Sequence, residues 1–193
     1  MSKNVASSEL IESIKFSACA FTLDSAEILS NALKTNLTLK NFTCNNCNLG
    51  LDCYEILING LLIHPTLEKL DFASNKLNDK AGNMIKRIIS RQSQRRDQVI
   101  WMYNLRNESP ENNEYSKGLL HINLANNQIS DTSADEIAYS LGYDNYIRKL
   151  NLSGNEISEE GCKKFIKVLR TNISLLNIDL RYYIYFIQKY PWL

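Results

Sequence analysis

The chain has 193 residues, of which 44% are hydrophobic and 22% are charged, and its formal net charge is +1. This size and composition suit one continuous core, and the near-zero net charge gives no general attraction to nucleic acid or to membranes. The N-terminus lacks the apolar stretch of a signal peptide, and no apolar run is long enough to span a membrane, which predicts a soluble intracellular protein.

One phrase, L-x-x-L-x-L-x-x-N/C-x-L, dominates the sequence. Its successive starts are separated by 28, 28, 52, 28 and 28 residues. The six starts are Ile11, Leu39, Leu67, Leu119, Ile147 and Leu175. Phrase and period are typical of leucine-rich repeats. We therefore predict an α/β solenoid of about six repeats, a single domain over 1–193 that forms a short right-handed arc with parallel strands on its concave face and helices on its convex face.

Each repeat predicts a strand, a buried corner and a returning helix. The corner side chains must satisfy main-chain groups of adjacent coils; they are Cys19, Cys47, Asn75, Asn127 and Asn155. The helices are predicted over 24–34, 52–63, 79–89, 131–141 and 158–169, each starting at an Asp or Ser suited to N-capping.

A column of alternating strand residues is predicted to run along the middle of the concave face. Its members are Lys15, Thr43, Asp71, Asn123, Asn151 and Asp179. Small residues flank the column, which predicts an open, polar and faintly acidic groove. Such a face is either simply solvated or a binding site for a peptide or a helix. In the second case Asp71, Asn123, Asn151 and Asp179 are candidate partner-binding residues.

The long step places an insertion at about 90–118, after the third repeat. Between Lys86 and Arg106 the chain has six basic residues and one acidic residue, a local net charge of +5. The apolar pattern predicts that the third helix runs beyond its repeat and ends near Asn107.

Two interpretations of this insertion stay open. Trp101 and Leu105 are expected to pack over the joint between the third and fourth coils. Alternatively, a protruding basic helix binds an acidic partner. The candidate partner-binding residues of the insertion are Arg91, Arg95, Arg96, Trp101 and Arg106.

No pattern in the sequence predicts enzymatic chemistry. Cys44 and Cys47 resemble a metal or redox pair, but they fall on core and corner positions, and no second pair or nearby histidine completes a zinc site. His64 and His121 lie in different repeats with no nucleophile placed by spacing. We predict a non-enzymatic protein with no catalytic residues, no metal and no cofactor, whose five cysteines are reduced thiols.

The insertion carries a resemblance to a known family. Gln92-Ser93-Gln94-Arg95-Arg96, then Trp101, then Leu105-Arg106, interrupting repeats at this point, resembles the family of the 78-kDa centrosomal protein. The flanking phrases LEKLDFASNKL and IRKLNLSGNEISEEGCKKFIKVLRTNISLLNIDLR are also similar to that family's repeats. The resemblance covers most of residues 10 to 181.

The resemblance implies a non-enzymatic scaffold of centrioles and basal bodies in the cytoplasm and cytoskeleton. It implies a role in cilium assembly through binding of centriolar proteins, a kinase and ubiquitin-ligase components, with no nucleic acid and no membrane among its partners. Unlike its longer relatives, the chain ends soon after the last repeat, without their C-terminal region containing a predicted coiled coil.

The aromatic C-terminal residues, about 182–193, are expected to cap the last coil, because an arc of repeats otherwise ends in an exposed apolar edge. Otherwise they form a self-association patch, which would give a monomer or a weak dimer. The alternative function is a cytosolic leucine-rich-repeat regulator of a small GTPase or of actin filaments.

Overall fold

A parallel sheet of six strands in chain order is the centre of the computed structural model, which describes residues 10–62, 64–109 and 117–181. The strands are β1 (Ser13–Ser17), β2 (Asn41–Asn45), β3 (Lys69–Asp71), β4 (His121–Asn123), β5 (Lys149–Asn151) and β6 (Asn177–Asp179). Each strand pairs with the next in sequence, and a helix follows each of the first five strands. The predicted leucine-rich-repeat solenoid is confirmed.

In the described part of the chain, five helices connect the strands. They are α1 (Leu23–Thr35), α2 (Leu51–Leu61), α3 (Asp79–Leu105), α4 (Asp131–Leu141) and α5 (Glu159–Leu169). The predicted aspartate N-caps are wrong, because the caps lie earlier, at Thr22, Gly50, Asn78 and Ser130; only Ser158 was predicted correctly. The acidic residues lie in the first turn instead, where they still favour the positive end of the helix dipole.

The core lies between the sheet and the helices. One side chain from the middle of each inner strand, such as Leu70, Ile122 and Leu150, is fully buried and in register with its neighbours. Near β2 and β3 the filling is aromatic, since the rings of Phe42 and Phe72 lie 5.7 Å apart. Burying these side chains is the main stabilising contribution to the solenoid.

Asparagines form the predicted ladder at the corners after β3, β4 and β5, while cysteines occupy the corners after β1 and β2. The side-chain oxygen of Asn127 accepts from the main-chain nitrogens of Asn75 at 2.9 Å and Leu77 at 3.0 Å, while its amide nitrogen donates to the carbonyl of Phe72 at 3.0 Å. Asn75 and Asn155 make equivalent bonds. Each asparagine therefore satisfies buried main-chain groups of the preceding coil.

A second set of hydrogen bonds, not expected from the sequence, joins the helix starts. The Asp79 carboxylate accepts from the main-chain nitrogen of Ser130 at 2.9 Å, from its hydroxyl at 2.6 Å and from the hydroxyl of Ser133 at 2.8 Å. Asp131 repeats the arrangement with Ser158. First-turn aspartates thus hold successive coils together.

The 52-residue step leaves the sheet uninterrupted. Lys69 pairs with His121, and Asp71 with Asn123, in the same register that joins the other strands. The chain therefore departs from the repeat within α3 and has returned to it at β4. As predicted, α3 runs beyond its repeat, and it ends at Leu105. The predicted cap at 182–193 lies outside the described residues.

Candidate protein-interaction surfaces

The concave face contains a groove of about 510 Å³ across β2 to β6. The predicted column lies along it in strict register, since Thr43 pairs with Asp71, Asp71 with Asn123, Asn123 with Asn151 and Asn151 with Asp179. The sequence therefore placed these side chains correctly on one surface.

The four candidate residues of this column also have a structural task. Each one accepts a hydrogen bond from the main-chain nitrogen two residues later, at 3.0 to 3.1 Å. The acceptors are Asp71, Asn123, Asn151 and Asp179. This local bond fixes the turn that follows each strand, which explains why Asp and Asn recur at this position.

What the groove offers to a partner is mainly hydrogen-bond donors. Both carboxylates have further internal partners: Asp71 accepts from the Asn45 amide at 3.2 Å, and Arg181 binds Asp179 with an ion pair of 2.6 Å. The amide nitrogens of Asn123 and Asn151 have no hydrogen-bond partner among the described residues. The concave groove therefore presents donors at its centre.

Two lysines that the sequence analysis did not single out line the same groove. Lys69 and Lys149 are exposed, lie on either side of His121 in register, and form no ion pair within the described part of the chain. The predicted faintly acidic character is wrong, because these lysines match the two aspartates in number and the aspartates are internally bonded. The repeat pattern predicts the position of these lysines, because each lies two residues before a member of the central column and on the same face of its strand.

The surroundings of His121 favour its neutral form. Partial burial lowers its pKa, and the positive charges of Lys69 and Lys149 lower it further. Lys69 and Lys149 are therefore the positively charged side chains that line the groove at neutral pH.

The insertion begins with a side chain that replaces a missing turn. In the last complete corner, the Asn172 amide donates to the carbonyl oxygens of Leu141 at 2.7 Å and Asp144 at 2.9 Å. Gln92, inside α3, donates in the same way to Leu61 at 3.3 Å and His64 at 3.1 Å. In both cases the acceptors lie 31 and 28 positions earlier in the chain. Gln92 thus satisfies these carbonyls without requiring the helix to end.

The next two arginines of the insertion face inward, contrary to the expectation that they bind a partner. Arg95 donates to the carbonyl oxygens of Pro65 at 3.0 Å and Lys117 at 2.5 Å. Arg96 is only 2% exposed, and its guanidinium carbon lies 4.6 Å from the centre of the Tyr146 ring. Their guanidinium groups fasten α3 to its neighbouring coils, so Arg96 has no surface to offer a partner.

The surroundings of Arg96 explain how a buried cation is tolerated. Burial lowers the pKa of Arg96 to about 10, so it stays charged at neutral pH, while the nearby Asp144 carboxylate favours the charged form. Burial raises the pKa of Asp144, and hydrogen bonds from the main chain of Ile147 and Tyr146, together with Arg96, oppose that rise. Each buried charge therefore compensates the other.

The distal part of α3 does not pack as expected. Trp101 is 63% exposed and Leu105 is 65% exposed, so the predicted packing over the joint between coils is wrong. Of the described residues from Asp97 to Leu105 none is buried, because the solenoid provides no further coil beneath them. Arg91 and Arg106 are exposed as well. The first part of the insertion is therefore held to the solenoid through Gln92, Arg95 and Arg96, whereas the C-terminal end of α3 is uncovered.

The cysteine pair is part of the core, as predicted. Cys44 is fully buried and Cys47 nearly so, and burial raises the pKa of the Cys44 thiol, which keeps it protonated. Within residues 10–62, 64–109 and 117–181, no group of His, Cys, Asp and Glu side chains could hold a metal ion. Over the same ranges, every helix is too short or too polar to cross a lipid bilayer.

Comparisons with known proteins agree with this architecture. A model of the family described as "Leucine Rich repeat" matches residues 64–85, 116–138 and 143–165. Human "Centrosomal protein of 78 kDa" is 30% identical over 155 residues, which cover 80% of this chain. The chain is a leucine-rich-repeat relative of that centrosomal protein. The mouse protein of the same name is 29% identical over 154 residues, 79% of this chain.

This leucine-rich-repeat chain spans only 22% of the human protein and 19% of the mouse protein. Among solved structures it is similar to "Leiomodin-1 Actin-Binding Site 2 (ABS2)", with a TM-score of 0.63, 12% identity and coverage of 88% of this chain and 86% of that one. The tropomodulin C-terminal domain of Caenorhabditis elegans has a TM-score of 0.59 and 14% identity, with 88% of each chain covered. At such identities the likeness shows the fold alone.

Proposed function

We propose that this chain is a non-enzymatic protein-interaction scaffold that works at the centrosome, and that its concave groove binds an acidic segment of a partner protein. The observation that carries the groove assignment is the set of unpartnered donors on the concave face. Lys69 and Lys149 line the groove, and the amides of Asn123 and Asn151 belong to the adjacent strands β4 and β5. Similarity to the 78-kDa centrosomal proteins of human and mouse supports the cellular location.

The chemistry of the groove favours an extended or helical segment with carboxylates. A carboxylate over Lys69 or Lys149 would gain an ion pair, and main-chain or side-chain carbonyls of the partner would accept from the two asparagine amides. Asp71, Asn123, Asn151 and Asp179 are already held by their own turns, so the groove is rigid before a partner arrives. Such rigidity lowers the entropic cost of binding.

We extend the proposal to centrioles and basal bodies during cilium assembly. The partners would be centriolar proteins, a kinase or ubiquitin-ligase subunits. The support for this finer part is the family resemblance. The proposed location is the cytoplasm and the cytoskeleton. A lower ciliated fraction after depletion of this protein, restored by the full chain, is the result expected.

Imaging of charge-reversed variants in cells tests both parts of the proposal. The groove variant carries Lys69→Glu with Lys149→Glu; the matched control carries Lys80→Glu with Lys167→Glu, which reverses two lysines on the helices. Wild type and control should concentrate at a centrosome marker, while the groove variant should be diffuse. Thermal unfolding of all three verifies that each is folded.

Two outcomes would count against separate parts of the proposal. Diffuse wild-type protein would contradict the centrosomal role. A groove variant that is folded and still concentrates at centrosomes would contradict the assignment of the groove, whatever the role of the protein.

A further inference from the structure

The outward face of α3 has the spacing of a coiled-coil seam. Six exposed residues follow one another at intervals of four, three, four, three and four: Arg87, Arg91, Gln94, Gln98, Trp101 and Leu105. We call these six residues the α3 stripe. Alternation of three and four is the pattern with which one helix packs lengthwise against another.

The opposite face of the same helix is already committed to the solenoid. Ile85 and Ile89 are fully buried, Gln92 bonds to the second coil, and Arg96 is buried against Tyr146. The first half of the α3 stripe therefore lies on a part of the helix that the solenoid holds in place. A partner would not have to bear the cost of ordering this helix.

The two ends of the α3 stripe differ in chemistry. Arg87 and Arg91, one turn apart, form no ion pair or hydrogen bond within the described residues. At the other end Trp101 and Leu105 are about two-thirds exposed, and Met102 beside them is 48% exposed. Uncovered apolar side chains next to unpaired cations favour a partner that is apolar at one end and acidic at the other.

The stripe does not complement a second copy of itself. It contains no acidic residue. Two copies packed in parallel would bring arginines together, and two antiparallel copies would place arginines against apolar side chains. Neither arrangement neutralises Arg87 and Arg91.

We propose that the α3 stripe is a second interaction surface, distinct from the concave groove, and that it binds a helix of another protein. That helix packs apolar side chains against Trp101, Met102 and Leu105. It places carboxylates opposite Arg87 and Arg91. This surface stands whether or not the concave groove binds a partner, because no residue is shared between them.

Peptide binding to the purified full chain tests the proposal. The probes are synthetic helices of about three heptads, with leucines in one half of the seam and glutamates in the other half, made in both polarities. A second pair carries lysines in place of the glutamates. Fluorescence anisotropy should show wild type binding a glutamate helix at least about tenfold more tightly than its lysine counterpart.

Variants of the stripe identify the surface. Arg87→Glu with Arg91→Glu should reverse the preference in favour of the lysine helix. Trp101→Ser with Leu105→Ser should weaken binding by at least about tenfold. Leu37→Ser with Ile173→Ser, which alters two exposed apolar residues elsewhere, should leave binding unchanged, as should Lys69→Glu with Lys149→Glu in the groove.

A photo-crosslinker at position 98, introduced as Gln98→p-benzoylphenylalanine, distinguishes the possible occupants. Adducts with the glutamate helix support the proposal. Adducts with a second copy, or within the same chain, overturn the proposal if they persist at saturating peptide. They would show that another segment occupies the α3 stripe. Binding that is absent in wild type, or unaffected by both stripe variants, also overturns it.

Discussion

The side-chain amide of Gln92 donates to the main-chain oxygen of His64 at 3.1 Å, across 28 positions of the sequence. This is the offset at which Asn172 donates to Asp144, but Asn172 lies in a turn and Gln92 lies inside a helix. The additional methylene of glutamine lets a helical residue make a bond that asparagine makes from a turn. A hydrogen bond with the 28-residue offset of the solenoid is therefore kept in α3, although this helix continues beyond the length of its repeat.

The Gln92 bonds predict a measurable loss of stability. Gln92→Ala leaves buried carbonyls of the second coil without their donor, which should lower the free energy of unfolding by about 1–3 kcal/mol. Gln94→Ala, an exposed neighbour on the same helix, should change it by less than about 0.5 kcal/mol. Urea denaturation measures both. Equal effects of the two substitutions would show that the Gln92 amide does not hold the insertion.

The burial of Arg96 predicts strong dependence on its partner. Arg96→Ala leaves the buried Asp144 without its nearby cation and removes the group stacked on Tyr146, so unfolding should become easier by about 3–5 kcal/mol. Arg91→Ala, an exposed arginine five positions earlier, should cost less than about 0.5 kcal/mol. If thermal unfolding of Arg96→Ala matched that of Arg91→Ala, the buried position of Arg96 would be wrong.

His64 predicts loss of stability on acidification. It occupies the corner position of Asn36, 28 residues earlier, and it is 2% exposed. Burial, together with the nearby positive charge of Arg95, lowers its pKa from 6.5 to about 4. Because the unfolded chain takes up the proton first, stability is fully present above about pH 6.5 and falls as the pH drops toward 4, by up to about 3 kcal/mol.

The matched variant for this effect is His64→Asn, because asparagine occupies the equivalent positions 36 and 172. Its unfolding free energy should vary less between pH 7.5 and pH 5 than that of wild type. The difference between the two proteins isolates the histidine from other titrating groups. A wild type and a His64→Asn variant with the same pH dependence would refute the assignment.

The bonds of Asp79 to the next coil predict a role in joining α3 to α4. Burial alone would raise the pKa of Asp79, but hydrogen bonds from Ser130 and Ser133 hold it below its usual value. The carboxylate therefore stabilises the fold above the usual aspartate pKa, and this contribution is lost as the pH falls through the lowered value. Asp79→Ala should cost about 1–3 kcal/mol at neutral pH, because the Ser130 nitrogen loses its acceptor.

Asp52→Ala is the control for Asp79→Ala. Asp52 is an exposed first-turn aspartate of α2 and makes no such bonds among the described residues. It contributes only through the helix dipole, so the cost should be below about 1 kcal/mol. Urea denaturation at pH 7 measures both variants, and a cost for Asp52→Ala as large as that for Asp79→Ala would argue against the junction.

Most of the fold could be predicted from the sequence, because residues that share one position in the repeat also share one place in the structure. Leu70, Ile122 and Leu150 share one phrase position and one buried column, and Asn75, Asn127 and Asn155 share one corner. The N-caps were misplaced by one or two positions, because Asp and Ser or Thr are both acceptable near a helix start and only three-dimensional contacts decide between them.

The candidate sites were harder to predict, since the sequence does not show whether a charged side chain faces the solvent or the interior. Arg91, Arg95 and Arg96 lie within six positions, yet the first is exposed and the last is buried. Their separation depends on where the preceding coil and Tyr146 lie, which the local pattern does not contain. Lys69 and Lys149 share one repeat position with Asn41 and His121, two residues before the central column, so the period of the sequence does contain their placement.

The uninterrupted pairing of β3 with β4 has an evolutionary consequence. The contacts that hold α3 to the solenoid lie within a few residues of Gln92. The pairing of β3 with β4 is the same as that of the other strands, whatever the length of the insertion. Substitutions between Gln98 and Leu105 can therefore accumulate without disturbing the stacking of coils. Natural selection can change the surface that the end of this helix presents while the solenoid that carries it stays the same.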